Sequence, residues 1–382
     1  MIEDICTNEK YSFTGGPFGS NLKVGDYTQS GVRVIQLNNI NDIYFNDDNK
    51  VFVSVEKADS LKSCNAYSGD LIFAKMMPAG RLCILPKTYD RYLLGSDAIR
   101  LKPNIDKYYC FFLLECLNRT IIRNSITSKT SGSTRQRIGL LDLKKTSFYC
   151  PNYIEQKQIG LFFELIEFKI SNISKKINIL KKYKEGLLFQ YKKEANKNGK
   201  ILKLASICSL ISGYNFNTND YVTNGKFDIV TIGNVMDDRY IEGDYKHVNF
   251  IPNSHIKLSK GDLLISMTGN VGRCSYVNDN NKLLNQRLCK FECEDTNKKF
   301  IYMMTKTNSF KKRMNILAQG GAQPNLKNND ILNYVFSKIE NNMTHQKYVE
   351  AFDKIELLLE QSKCLIKNMK HLKKNLLNQL FI

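Results

Sequence analysis

The amino-acid sequence predicts an α+β fold class. Two similar mixed α/β domains are joined and separated by two long helices, packed as an antiparallel coiled coil, in a pseudo-two-fold internal repeat. Two observations predict this. The first is a pattern that occurs twice in the same order. Gly69-Asp70-Leu71-Ile72-Phe73, Gly80-Arg81 and Ser131-Gly132-Ser133-Thr134-Arg135-Gln136 are answered by Gly261-Asp262-Leu263-Leu264-Ile265, Gly272-Arg273 and Gln319-Gly320-Gly321-Ala322-Gln323-Pro324. The second is that each half ends in a long apolar-periodic stretch. Solenoid repeats have periods of about 20–50 residues, so a repeat of this size reads as tandem domains. The expected boundaries are 1–151 and 197–340 for the domains, 152–196 for the central helix and 341–382 for the C-terminal helix.

Within each half the elements follow in order. Residues 32–39 alternate and are β-branched, which predicts a strand ending in a polar turn; residues 227–234 answer them. The Gly-Asp turn then starts a short apolar strand in each copy. The first strand leaves through residues 75–81 and the second through 266–273, both glycine-bearing loops with a basic residue. Helical stretches are expected over 108–127 and 299–317, then the polar loops, then short strands over 147–151 and 334–338. Strands mixed with few helices indicate α+β domains.

The terminal helices carry heptads. Ile159, Ile166, Ile173, Leu180 and Leu187 recur at sevens, with Phe163, Ile170 and Ile177 between them. In the second helix Phe352, Leu359, Ile366 and Leu380 recur at sevens, broken by Lys373. At about 1.5 Å per residue each helix runs on the order of 60 Å. Neither buries its seam alone, so the economical arrangement packs one on the other; the bland alternative is a core helix within each globule.

At 382 residues the chain has room for two ordinary domains, and 42% hydrophobic with 11% aromatic residues fits a folded protein. A net charge of +19 points to a polyanionic partner. An AT-rich genome also enriches Lys, Asn and Ile, so charge alone leaves that partner open. The 11 cysteines include no C-x-x-C pair, and His247, His255, His345 and His371 lie near no cysteine cluster. That spacing argues against structural metal and for free thiols in a reducing cytoplasm. The N-terminus lacks a secretion signal, and the apolar run 108–117 contains Glu115 and is short of the ~20 residues that span a bilayer. A cytoplasmic location and no membrane association are expected.

No phosphate loop, nucleophile elbow, H-E-x-x-H or Asn-Pro-Pro-aromatic motif is present. Gly15-Gly16-Pro17-Phe18-Gly19 reads as a glycine turn, and Asp47-Asp48 and Asp237-Asp238 read as solvated turn acids. The loops instead offer hydrogen-bonding and basic side chains. Arg grips guanine bidentately, Asn or Gln grips adenine, and hydroxyls hold phosphate. Polar loops are common, but these recur at the same place in both halves.

With these features in order, the whole chain resembles the specificity subunit of Type I restriction-modification systems. The resemblance rests on Gly16-Pro17-Phe18 and Gly213-Tyr214-Asn215-Phe216, the Gly-Asp-Leu strands, the Ser131–Gln136 loop, and Glu155-Gln156-Lys157-Gln158-Ile159 at the start of the first long helix. The second copy departs from it, with His345-Gln346 for Glu-Gln and Gly320 to Asn325 for the Ser/Thr-rich loop. The resemblance implies a non-catalytic DNA reader with two target recognition domains, each reading half of a bipartite, asymmetric double-stranded target. Two methyltransferase (modification) subunits would bind the helices and methylate adenine N6, and motor-nuclease subunits would join for restriction. No cofactor is expected on this chain, because S-adenosylmethionine and base flipping belong to the methyltransferase.

Under that resemblance the expected DNA contacts in the first domain are Arg33, Asn38, Lys75, Arg81, Thr134, Arg135 and Gln136. In the second they are Asn215, Asn234, Thr268, Asn270, Arg273, Gln323 and Asn325. The heptad residues named above would set the spacing and hold partners. The competing readings are a non-DNA coiled-coil scaffold with two protein-binding domains, and an enzyme with an unfamiliar site. Salt-dependent binding to duplex DNA separates the scaffold from the reader.

Overall fold

In the computed structural model, which describes residues 1–132, 136–319 and 324–380, each Gly-Asp-Leu segment forms a strand buried at every residue, Leu71–Ala74 and Leu263–Ser266. A short, mainly apolar run suits a strand covered on both faces. The chain divides into two compact units, Met1–Ser171 with the segment from Asn368, and Asn172–Lys367.

In unit 1, Leu71–Ala74 lies between antiparallel Ala98–Leu101 and Leu82–Ile84, and Phe13–Gly15 and Ile43–Tyr44 complete a 5-stranded sheet. A second 5-stranded sheet orders Tyr27–Thr28, Phe52–Val53, Val32–Ile35, Tyr92–Leu94 and Asn65–Ala66, with Val32–Ile35 parallel to Tyr92–Leu94. Val34, Ile35, Ile72, Cys83 and Leu93 share one core. Unit 2 repeats the plan. Leu263–Ser266 lies between Leu288–Glu292 and Cys274–Tyr276, and Phe227–Val230 runs parallel to Lys282–Leu284 in a second sheet.

After the central strand both copies turn on a glycine in the left-handed region, Gly80 at φ +81° and Gly272 at φ +75°. Gly80 N donates to Ala74 O at 3.0 Å, and Gly272 N donates to Ser266 O at 2.9 Å. A Cβ there would press on Ile126 or Met314. Both Gly-Arg pairs are thus fixed by backbone geometry.

The helices of unit 1 are α1 (Val55–Ser60), α2 (Cys110–Leu117), α3 (Thr120–Thr127) and α4 (Leu140–Lys144). The long α5 (Tyr153–Asn198) follows, and α6 (Asp295–Thr305), α7 (Asn308–Leu317), α8 (Asn328–Leu332) and α9 (Asn342–Leu380) complete the set described. Each helical stretch expected as one piece is two. The break is held in unit 1 by Asn118, which bonds the Leu82 N–H at 3.1 Å and the Leu82 carbonyl at 2.8 Å. In unit 2 Lys306 Nζ takes that place, donating to Cys274 O at 2.9 Å. The expected strand over 334–338 is Val335–Ile339, paired with Gly199–Lys203. Its counterpart over 147–151 is not a strand, having no ladder partner among the described residues.

Asp48 is exposed, as expected of a turn acid, but the other three turn acids are paired. Asp47 pairs with Arg33 at 2.9 Å, Asp237 with Lys306 at 2.7 Å and Lys311 at 2.6 Å, and Asp238 with Lys363. Sequence distance hides these partners.

Each long helix is capped by asparagine. Asn152 Oδ1 accepts from Glu155 N at 3.0 Å, and Asn341 Oδ1 accepts from Thr344 N at 2.9 Å. Counted from these caps, His345 stands at the position of buried Gln156, so the substitution is Gln-to-His there and not Glu-Gln to His-Gln. In unit 2, Tyr191 bonds His345 at 3.0 Å and Lys184 pairs with Glu356 at 2.9 Å, so the segments of α5 and α9 there run antiparallel. In unit 1, Lys373 Nζ meets Glu167 at 2.6 Å. From each cap, Lys373 matches Lys184 and Glu167 matches Glu356. The heptad break is therefore a polar contact made twice.

Along the seam Phe163, Ile166, Ile170, Phe352 and Leu359 are buried, while Ile159, Ile173, Leu180, Leu187 and Ile366 are half-buried. Leu380 is corrected. It is 48% exposed in the last turn of α9, so it does not close a buried seam.

Candidate nucleic-acid interface

The two loops singled out separately in each half are joined by backbone hydrogen bonds. In unit 1, Met77 N donates to Gln136 O at 3.2 Å and Ile138 N to Lys75 O at 2.9 Å, with a bridge between Met76 and Arg137. In unit 2, Gly269 N donates to Pro324 O at 3.0 Å and Leu326 N to Met267 O at 2.8 Å, with a bridge between Thr268 and Asn325. One rim is thus built twice from the strand exit and the polar loop.

Unit 1 brings half-buried Lys75 and Arg81 to this rim with exposed Gln136; Thr134 and Arg135 lie outside the described residues. Unit 2 brings Thr268, Asn270, Arg273 and Asn325 together; Gln323 lies outside the described residues. Arg81 Nε and Thr268 Oγ1 are buried without a hydrogen-bond partner among the described residues. Asn215 lies in a cavity of about 310 Å³ with Phe216, Tyr221, Lys246 and Gln286, which Arg287 also lines. Asn38 is exposed at a turn next to buried Asn39.

Two expected contacts are corrected. Arg33 is 0% exposed: its Nε donates to Asp47 Oδ1 at 2.9 Å, Nη1 donates to Val34 O, and Phe45 and Phe52 flank the guanidinium. Burial works to raise the Asp47 carboxyl, but hydrogen bonds from Arg33, Tyr89 and Lys50 hold it below its usual value. Asn234 is 2% exposed. Its Oδ1 accepts from Thr231 N at 2.9 Å and its Nδ2 donates to Glu242 O and Asp244 O, both at 3.0 Å. Asn39 does the same in unit 1, with Gln36 N at 2.8 Å and Asn46 O at 2.9 Å. Both asparagines are braces within a turn.

Other polar residues at these rims were not among the expected contacts. Arg137 is 40% exposed, and its Nε donates to Asp97 Oδ1 at 2.8 Å. In unit 2 exposed Arg287 stands where Asp97 stands, because Lys75 N donates to Asp97 O and Met267 N to Arg287 O. Adjacency to the polar loop was a signal for Arg137; nothing in the sequence ties residue 97 to it.

Among the described residues no group of His, Cys, Asp or Glu is placed to hold a metal ion, and no helix is long and apolar enough to cross a membrane. Burial pushes several thiols up, Cys116 to about 12, as expected of small apolar side chains. What the rims present is hydrogen-bond donors, amides and positive charge, the chemistry that meets phosphates and base edges.

Comparison with known proteins agrees. The Type I restriction modification DNA specificity domain matches twice, over residues 3–182 and 196–368. A Type I restriction enzyme MjaVIII specificity subunit from Methanocaldococcus jannaschii is 22% identical over 277 residues, 63% of this chain. The chain spans 62% of that relative's length. A crystal structure of a Type I restriction-modification system S subunit from M. genitalium has the same fold, with a TM-score of 0.71 at 16% identity, covering 100% of this chain and 95% of that one. This chain belongs to the Type I restriction modification DNA specificity domain family.

Proposed function

We propose that this chain is the non-catalytic subunit that reads a bipartite, asymmetric double-stranded DNA target and directs adenine-N6 methylation, and restriction, by partner subunits in the cytoplasm. The observation that carries this reading is the rim made twice, through Met76–Arg137 and Thr268–Asn325, with different side chains on each copy. Equivalent frames with unlike readers suit a target whose halves differ. The net charge of +19 supplies the salt-sensitive attraction that any such reader needs.

In this reading residues 1–151 and 197–340 recognise the half-sites, and 152–196 and 341–382 set their spacing and hold two methyltransferase subunits. Leu161, Phe162, Leu165 and Phe168 on α5 are between 43% and 62% exposed and offer apolar surface to such a partner. Mapping methylated adenines in the source genome with and without this chain tests the function. A split motif methylated only when the chain is present is expected. Methylation that persists unchanged without it, or duplex binding that is absent at low salt, would overturn the reading.

A further inference from the structure

We propose that Arg137, held by Asp97, reads a guanine in the half-site bound by unit 1, and that unit 2 has a different reader at the same place; this rests on the DNA-reading function proposed above. Arg137 closes the polar loop. Its backbone N–H donates to Ser131 O and its carbonyl accepts from Ser131 N, both at 3.0 Å, and it bridges to Met76. The frame around its Cα is therefore tied to the strand exit.

The side chain is tied as well. Asp97 accepts from Nε at 2.8 Å, which leaves the two terminal nitrogens of a side chain that is 40% exposed. Those nitrogens present parallel donors, the arrangement that matches guanine O6 and N7 in the major groove. A long side chain loses rotamer freedom when it grips a base, and one already tethered loses less. A phosphate can be met from many directions and needs no such tether. The Arg137 side chain is 40% exposed and that of Asp97 19%, and in this proposal the pair serves to aim the arginine. Asp97 is a positioning residue.

Unit 2 is built differently on the same frame. The bonds from Ile138 N to Lys75 O and from Lys75 N to Asp97 O recur from Leu326 N to Met267 O and from Met267 N to Arg287 O. Asn325 thus replaces Arg137, and Arg287 replaces Asp97. Asn325 is exposed and carries the amide that pairs with adenine, and no acid stands at position 287 to aim an arginine.

The test is selection of binding sites from a randomised duplex library by the full chain, with salt dependence and melting recorded for each variant. R137A should lose discrimination at one guanine of one half-site, by roughly 5- to 150-fold, and R137K, which lacks the rigid fork, should lose part of it, with all other positions and the melting midpoint unchanged. R137K keeps the charge, so it should also keep most of the affinity. D97A should loosen the same guanine, and N325R with R287D should introduce a guanine into the other half-site. Uniform weakening of all sequences in R137A with a salt slope shallower by about one would make Arg137 a phosphate contact and overturn the proposal. A selected motif unchanged in R137A would overturn it too, and a motif unchanged in D97A would remove the positioning role. A wild-type chain that selects no motif would overturn the DNA-reading function itself.

Discussion

Gln156 and His345 stand at the same position after their helix caps, and both are buried, but they satisfy that burial differently. The Gln156 amide accepts from Tyr109 N at 3.1 Å and donates to Pro151 O at 2.9 Å and Lys107 O at 3.3 Å. His345 shares a bond with the Tyr191 hydroxyl at 3.0 Å and packs its ring 4.6 Å from that of Phe300. A neutral amide has been exchanged for a group that titrates.

Burial, with a smaller push from Lys338, lowers the His345 imidazole from 6.5 to about 4. Between those values the unfolded chain takes up a proton that the folded chain refuses. Stability contributed by the neutral ring is therefore complete above pH 6.5 and is lost as pH falls towards 4, on the order of 3 kcal/mol. His345→Gln should flatten this acid limb in denaturant titrations at pH 5 and pH 7.5. An equal pH dependence in both proteins would place the acid sensitivity elsewhere.

Glu115 titrates with the opposite sign. It is 2% exposed on α2. Burial raises its carboxyl to about 7 against the pull of Lys373, whose Nζ lies 2.7 Å away but bonds Glu167 at 2.6 Å. The folded state holds a proton that the unfolded chain releases near 4.5, so stability from this group is present at low pH and falls as pH rises through 7. Glu115→Gln should remove that loss and raise the melting midpoint at pH 8 more than at pH 5. A midpoint raised equally at both pH values would argue against a titrating Glu115.

Arg33 and the paired asparagines should behave as structure and not as readers. Arg33→Ala empties a fully buried site and removes one of the partners of Asp47, which keeps Tyr89 and Lys50, and should cost about 1–3 kcal/mol. Asn39→Ala and Asn234→Ala each strand buried backbone groups and should cost about 1–3 kcal/mol. Denaturation should show these losses while the selected motif stays unchanged in any variant that still folds. A changed base preference with unchanged stability would return the residue to the reading surface.

What could be read from the sequence was whatever repeats locally. The Gly-Asp-Leu strands, the Gly-Arg turns and the heptad patterns recur, so the repeated architecture and both long helices were legible. Arg33 was misjudged because V-R-V-I shows alternation, whereas its neutralising partner Asp47 lies on another loop. Asn234 sits in a polar turn, and only the fold shows that its amide turns inward to brace that turn. The joining of the strand exit to the polar loop, and the Asp97–Arg137 pair, depend on tertiary contacts that no local pattern encodes. Lys373 looked like an interruption of the heptad, yet its contact with Glu167 repeats that of Lys184 with Glu356.

The matched caps make the spacing role testable. Residues 173–179 and 362–368 are the same heptad counted from Asn152 and Asn341, and neither includes Glu167, Lys184, Glu356 or Lys373. Deleting both removes about 10 Å of helix while turning the seam by only about 20°, so the apolar face stays in phase. Duplex DNA rises about 3.4 Å per base pair, so the preferred spacer should shorten by on the order of three base pairs. The two half-sequences should not change, because the rims at Met76–Arg137 and Thr268–Asn325 are untouched. Linked binding modules gain from each other only when their separation matches the span of their sites. Adenine methylation mapping with the shortened chain reads out spacer and half-sites together. An unaltered spacer would mean that the helices do not measure it.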